Sequence, residues 1–309
     1  MRARARPVTR AIRSARQIAA AGLVVPVLIA AAASLAAAPL HAEAAAAPRI
    51  VSLAPHLTEL AFDAGAAERL VGVVEWSDHP RPARELPRIG DAFRFDTETI
   101  LSLGATDAIA WEGGTPPASR RQLEALGLTV HAIETRTLDQ IGEALRTLGR
   151  LAGTSAQADA AANRFRERLD QLRAVPRHGP PVTVFYQVSQ RPLFTLGRRH
   201  VFNEVLALCG ARNVFDGLDV EAAAVGIEAV VDASPDVILV GADRRPADAA
   251  AAWAARTEIP AVRCGRVLEV NADSLVRPTT RLLDGASALC ERLDRLRQAE
   301  DPACGIGRR

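Results

Sequence analysis

Residues 155–175 read SAQADAAANRFRERLDQLRAV, and this stretch decides the architecture. Arg164, Arg166, Glu167, Arg168, Asp170 and Arg173 surround a single narrow apolar stripe of Phe165, Leu169 and Leu172. Such spacing predicts a helix polar over most of its girth, and helices of that kind bridge domains. One more surface helix of a single domain is the plainer alternative. Pro176, Pro180 and Pro181 stop the helix, because proline removes a backbone donor and clashes with the preceding turn.

Short apolar runs alternate with amphipathic stretches on both sides of this helix. Before it, Ile50–Leu53, Leu70–Val74, Ala108–Trp111 and Leu128–Ile133 read as buried strands. Leu57–Ala64 and Ser119–Leu126 read as helices, the second closed by Gly127. Thr137 and Gln140 form a capping box, and Ile141, Ala144, Leu145, Leu148 and Leu151 follow at helical spacing. After the long helix the alternation restarts with a strand at Val182–Val188 and a helix at Val201–Leu208. A helix at Glu228–Ala233 and strands at Val237–Val240 and Arg266–Val270 continue it. Pro278 then opens a final helix through Leu282, Leu289, Leu293 and Leu296. The stretches around Ala105-Thr106-Asp107 and Ser234-Pro235-Asp236 echo each other as helix end, tight turn and buried strand. The predicted fold is α/β, with two Rossmann-like lobes of parallel sheet joined by one long linker helix. Residues 45–154 form the first lobe, 155–178 the linker, 179–300 the second lobe and 301–309 a tail.

The beginning of the chain reads as an export signal. Arg2, Arg4, Arg6, Arg10, Arg13 and Arg16 precede an apolar run from Ile18 to Ala38, and small residues around Ala42 and Ala44 suit cleavage. Residues 1–44 are therefore expected to be a signal peptide and the mature protein periplasmic. Pro26, Pro39 and the weak hydrophobicity of an alanine-rich run argue against a retained anchor. Cleavage after Ala42 leaves 32 basic against 36 acidic residues, a net charge of −4, which removes the electrostatic case for a nucleic-acid partner. Cys209, Cys264, Cys290 and Cys304 have no CxxC spacing, so disulfides are expected in an oxidising compartment. Spacing alone leaves all three pairings open.

No nucleophile elbow, Walker, HExxH or dinucleotide motif occurs, so no catalytic residue and no cofactor is assigned. His56, His79, His131 and His200 are scattered, and no metal site is expected from them. The aromatic residues are more informative. Trp76 and Trp111 each stand just past an apolar strand, in the loop-like surroundings Glu75–Pro80 and Trp111–Thr115. Ligands of open α/β sheets bind beyond the carboxyl ends of strands. Phe194 occupies a comparable loop in the second half, whereas Trp253 is assigned to packing. A bulky planar ligand held by stacking is the expectation.

Several of these segments carry a family resemblance. Arg49–Pro55 with Thr58-Glu59, Trp76–Pro80, Leu86–Gly90 and Ser234–Ile238 together resemble the class III periplasmic binding proteins of ABC importers. Ile109–Gly114 is similar to the cobalamin-binding subgroup. The resemblance implies capture of cobalamin or a related corrinoid by a monomer, with delivery to the permease subunits of an inner-membrane importer and no chemistry on the ligand. It places Trp76, Trp111, Phe194, Asp273 and Arg277 in the ligand pocket, and it puts Ala222 where the family has an aromatic wall. It also implies a Cys209–Cys290 disulfide and a permease-docking Glu228. The first-lobe docking position falls near Pro117, with Glu112 and Glu124 as neighbouring carboxylates. A haem or ferric-siderophore ligand, with His79 as axial candidate, is the alternative within the fold; a periplasmic metal-cluster enzyme subunit is the alternative outside it.

Overall fold

The computed structural model describes residues 47–91, 93–241, 251–298 and 304–306. The export-signal reading and most of the 301–309 tail lie outside these residues.

The first lobe is a parallel four-stranded sheet in the order β2-β1-β3-β4, with β1 Ile50–Ser52, β2 Leu70–Val73, β3 Asp107–Trp111 and β4 Thr129–Ile133. Helices α1 Pro55–Asp63, α2 Thr97–Ser102, α3 Pro117–Ala125 and α4 Leu138–Ala152 connect and follow the strands. Both faces are covered, which is why the strands read as continuous apolar runs. Ile50, Ile109 and Ile133 pack toward α1 and α4, whereas Val51, Ala108 and Ala110 pack in a second cluster with Ile100 and Leu123. Helix α4 starts on the predicted capping box, with Thr137 Oγ1 accepting from the Gln140 N–H and Gln140 Oε1 from the Thr137 N–H.

The long helix between the two sheets is α5, Ser155–Arg173. It is less exposed than its charges suggest. Ala158, Ala161 and Ala162 are buried together with Phe165 and Leu169, so its apolar face includes alanines that the larger residues alone did not reveal. Small side chains let α5 lie tightly along α4. A methyl group on Gly149 of α4 would come within 2.2 Å of the Ala158 Cβ. Arg146–Asp159 and Arg173–Asp139 contacts at 3.4 and 2.9 Å border the seam.

The second lobe has a parallel sheet of β5 Val182–Gln187, β8 Ala211–Asn213, β10 Val237–Gly241 and β11 Val267–Val270, in the order β11-β10-β5-β8. Helices α6 Phe202–Leu208, α7 Ile227–Ala233, α8 Pro260–Arg263, α9 Ala272–Leu275 and α10 Leu282–Gln298 accompany it. A small antiparallel sheet of β6 Ser189–Gln190, β7 Leu193–Leu196 and β9 Ala222–Ala224 is added. Phe194 therefore stands on a strand rather than in a loop. The Ala222–Ala224 triplet has weak strand preference and is held extended by pairing with β7, which a local reading does not detect.

The final helix begins at Leu282 and not at Pro278. Residues 277–281 form a turn instead, with the Thr279 N–H donating to the Arg277 carbonyl at 2.8 Å and the Leu282 N–H to that of Thr279 at 3.1 Å. That turn directs Arg277 and Arg281 at the first lobe, and ion pairing across the seam favours it over another helical turn. One apolar core runs without interruption from α1 and α4 through α5 to α6 and α10. The lobes are thus packed together and not merely tethered. Disulfides join Cys209 to Cys290 and Cys264 to Cys304.

Candidate functional site

Helix α1 opens on Pro55, immediately beyond β1, and is buried over most of its circumference. Its positions 56, 59 and 63 share one face, which turns toward the second lobe. Glu59 is 3% exposed and accepts two hydrogen bonds from the Arg281 guanidinium at 2.9 and 2.8 Å. Thr280 donates to Asp63 at 2.7 Å. Burial raises both carboxyls above the ordinary carboxylate range, opposed at Glu59 chiefly by the Arg281 hydrogen bonds and at Asp63 by that from Thr280. His56 is buried and neutral, its pKa lowered to about 3 by desolvation with help from Arg277 and His200. Desolvation also lowers His200 to about 4.

Trp111 is the last residue of β3 and not a loop residue. The following turn folds back over its indole: the Gly114 and Thr115 N–H groups donate to the Trp111 carbonyl at 3.2 and 2.9 Å, and Thr115 Oγ1 accepts from the Trp111 N–H at 3.0 Å. A Cβ on Gly113 would lie 2.9 Å from Nε1, and one on Gly114 only 2.0 Å from Cε3. The Gly-Gly pair is therefore a requirement of ring–backbone contact. The indole also meets the His56 ring in a T-shaped pair at 5.2 Å. Trp111 Nε1 is buried with no acceptor among the described residues. Buried polar groups are nearly always satisfied, so an orphaned donor on a half-buried aromatic marks a position built for something else.

Trp76 is the complementary case. It follows the buried Val74 on a turn and takes a left-handed φ of 67°, rare for a bulky side chain, while remaining 56% exposed. The turn is fixed from below, where Thr58 Oγ1 donates to Ser52 at 2.9 Å and contacts the buried Ser77 hydroxyl at 3.2 Å. Backbone strain that presents a tryptophan to solvent points to function rather than packing.

Two residues further on, Asp78 lies 3.7 Å from Arg277. Arg277 also pairs with Asp273 at 3.0 Å and lies 3.6 Å from Glu59. The structure thus brings Asp273 and Arg277 together and connects them to both α1 and the Trp76 turn. Sequence reasoning missed Glu59 as the partner of Arg281, and it missed Asp78; the available signal was the polar stripe on an otherwise buried α1. Phe194 lies half-buried on β7 opposite Ala224. Trp253 is buried, edge-on to Phe185 at 5.6 Å, and donates from Nε1 to Gln187 at 2.6 Å. His79 is held below its ordinary pKa by burial and then Arg281, against Asp63, Asp78 and Asp273. Glu228 is exposed in the first turn of α7. Glu112 pairs with Arg120 at 2.5 Å, Glu124 is exposed on α3, and Pro117 begins that helix. Among the described residues no three His, Cys, Asp or Glu side chains converge as a metal site would need.

Residues 50–273 match the family described as periplasmic binding protein. The vitamin B12-binding protein of Vibrio cholerae serotype O1 is 38% identical over 244 residues, which is 79% of this chain and 88% of the relative. That of Pectobacterium atrosepticum is 32% identical over 261 residues, covering 82% and 91% of the two chains. The crystal structure of the periplasmic vitamin B12-binding protein BtuF of V. cholerae superposes with a TM-score of 0.74 over 80% of this chain and 96% of that one, at 38% identity. The haem-binding protein BhuT in complex with two haems superposes with a TM-score of 0.72 over 80% and 98%, at 26% identity. With a matching family model over most of its length and close structural counterparts, the chain belongs to the periplasmic binding protein family and has its class III fold.

Proposed function

We propose that this protein captures cobalamin or a related corrinoid in the periplasm and hands it to an inner-membrane ABC importer. The observation that carries the reading is Trp111, whose indole is fixed beneath a Gly-Gly turn with its N–H lacking an acceptor. Trp76, held exposed in a left-handed turn, and Phe194 on the second lobe supply further aromatic surface. Large planar ligands gain affinity from burial against such rings. Asp273 and Arg277 supply polar contacts at the seam. The continuous core makes a preformed cleft the working arrangement, so little binding energy is lost to lobe closure. The relatives named for vitamin B12 at 38% and 32% identity support the same ligand class.

Titration of the mature protein with cyanocobalamin and, separately, hemin tests the proposal by calorimetry and absorption. Saturable 1:1 cyanocobalamin binding is expected. A haem complex without corrinoid binding would overturn it in favour of the haem reading.

Glu228 is proposed to dock on the permease. The variant Glu228→Arg is expected to keep ligand affinity while weakening association with the cognate importer, since an exposed charge acts mainly on partner encounter. Its bland alternative is compensation of the α7 dipole; unaltered importer association would favour that.

A further inference from the structure

The second lobe carries a cavity that nothing described so far uses. It lies beyond the carboxyl end of β5, between the β6–β7 hairpin, the start of α7 and Trp253, and has a volume of about 210 Å³. Gln187, Gln190, Arg191, Leu193, Ile227 and Trp253 line it. The hairpin is well fixed. The Val188 N–H donates to the Phe194 carbonyl at 2.9 Å, the Ser189 hydroxyl to that of Pro192 at 2.7 Å, and the Val225 N–H to that of Leu193 at 2.9 Å. Gln190 stands opposite Leu193 in the ladder and Ser189 opposite Phe194. Gln190 and Leu193 therefore share one face of the hairpin, the cavity's, and Phe194 has the other.

The chemistry of the cavity is set by Gln187, the last residue of β5, which is 3% exposed. An indole N–H can only donate, so the 2.6 Å contact from Trp253 fixes the Gln187 amide with Oε1 toward the ring. The amide NH2 is left over, and it has no acceptor among the described residues. Polar groups so deeply buried are nearly always satisfied. Arg191, exposed beside it on the hairpin, has no hydrogen-bond or ion-pair partner for its guanidinium among the described residues. No carboxylate is among the described residues that line the cavity. Gln187 and Arg191 thus offer donors alone, one of them permanently charged, against an apolar wall of Leu193, Ile227 and Trp253.

We infer that this cavity is an oxyanion subsite, taking a singly charged carboxylate or phosphodiester carried on an apolar body. The Arg191 guanidinium supplies the charge and the Gln187 NH2 a donor of fixed direction; Trp253 and its neighbours cover the attached carbon atoms. The volume is below that of pockets for whole cofactors and suits one functional group or one small solute. Two sources present this chemistry. One is a free solute. The other is the phosphodiester in the nucleotide arm of cobalamin, and that source alone rests on the corrinoid reading.

The test is calorimetry on the mature protein and its Arg191→Gln and Arg191→Lys variants. Each is titrated with sodium dimethyl phosphate, at ionic strength held constant by sodium chloride, and with cyanocobalamin and dicyanocobinamide. Dicyanocobinamide keeps the corrin ring and lacks the phosphodiester. Arg191 is exposed, and thermal melts report that each variant is folded. With a free solute as occupant, dimethyl phosphate binds wild type saturably, Arg191→Lys keeps most of the affinity, and Arg191→Gln loses about tenfold, as removal of a hydrogen bond to a charged group does. With the ligand's own arm as occupant, Arg191→Gln weakens cyanocobalamin by the same factor and leaves dicyanocobinamide unchanged. Dimethyl phosphate and cyanocobalamin binding both unaltered in Arg191→Gln would overturn the subsite and leave the corrinoid reading standing. Equal weakening of the two corrinoids, without dimethyl phosphate binding, would assign Arg191 to the ring and overturn the subsite too. Binding of dimethyl phosphate with neither corrinoid bound would overturn the corrinoid reading alone, and absence of all binding would overturn both.

Discussion

Glu59 of the first lobe and Arg281 of the second are joined by a two-point ion pair at 2.9 and 2.8 Å, with the carboxylate buried and the guanidinium partly open to solvent. The contact crosses the seam between the lobes. Its strength comes from geometry, since parallel N–H donors match the carboxylate oxygens.

Breaking one side of this pair strands a buried charge. Arg281→Met is expected to destabilise the protein by about 3 kcal/mol. The loss should be larger at pH 8 than at pH 5. Without Arg281 the folded-state pKa of Glu59 rises further above its unfolded value, so stability is kept where both states are protonated and is lost as pH rises through the raised pKa. Urea melts of both proteins at the two pH values measure this; equal losses would assign the effect to packing.

The two tryptophans should respond differently to mutation. Trp76→Gly removes exposed aromatic surface and relieves a left-handed φ, so stability should hold or rise slightly while cyanocobalamin affinity falls by roughly 2 kcal/mol. Gly114→Ala acts in the opposite place. Its methyl group would overlap Cε3 of Trp111, displacing the indole or the turn and lowering affinity with no change to Trp111 itself. Calorimetry paired with thermal melts separates the two. Unchanged affinity in both variants would remove these rings from the pocket.

The Cys209–Cys290 bridge spans 81 residues and ties α10 to the end of α6. Replacing both cysteines by alanine is expected to cost about 4 kcal/mol on loop-entropy grounds, with the usual dependence on the model of the unfolded chain. The Cys264–Cys304 bridge closes a 40-residue loop and should contribute slightly less. Denaturant midpoints of the two double variants order them.

Acid should loosen the seam. His56 and His200 have folded-state pKa values near 3 and 4, below the ordinary 6.5, so the unfolded chain binds protons that the folded one refuses. Their contribution is complete above pH 6.5 and is lost as pH falls toward 4. His56→Phe keeps a ring beside Trp111 and has no proton to gain, so its melting temperature should fall less steeply than wild type between pH 6.5 and 4.5. Parallel slopes would show that His56 is not excluded from protonation.

The sequence by itself determined the lobes, the linker and the aromatic candidates, because each depends on local pattern. Apolar runs such as Val237–Val240, the Thr137–Gln140 capping box and the proline stop after α5 are signals within a few residues. Tertiary structure alone decided the polar seam and the surroundings of each aromatic. Glu59 and Arg281 are 222 residues apart and Asp63 and Thr280 are 217 apart, and both pairs meet only because the lobes pack through one continuous core. Phe194 becomes a strand residue through pairing with a weakly strand-forming alanine triplet, and Trp253 is satisfied by Gln187 across 66 residues. Trp111 loses an acceptor for the same kind of reason: what its indole meets is set by His56 and a folded-back turn, and such long-range contacts leave no periodic trace in the chain.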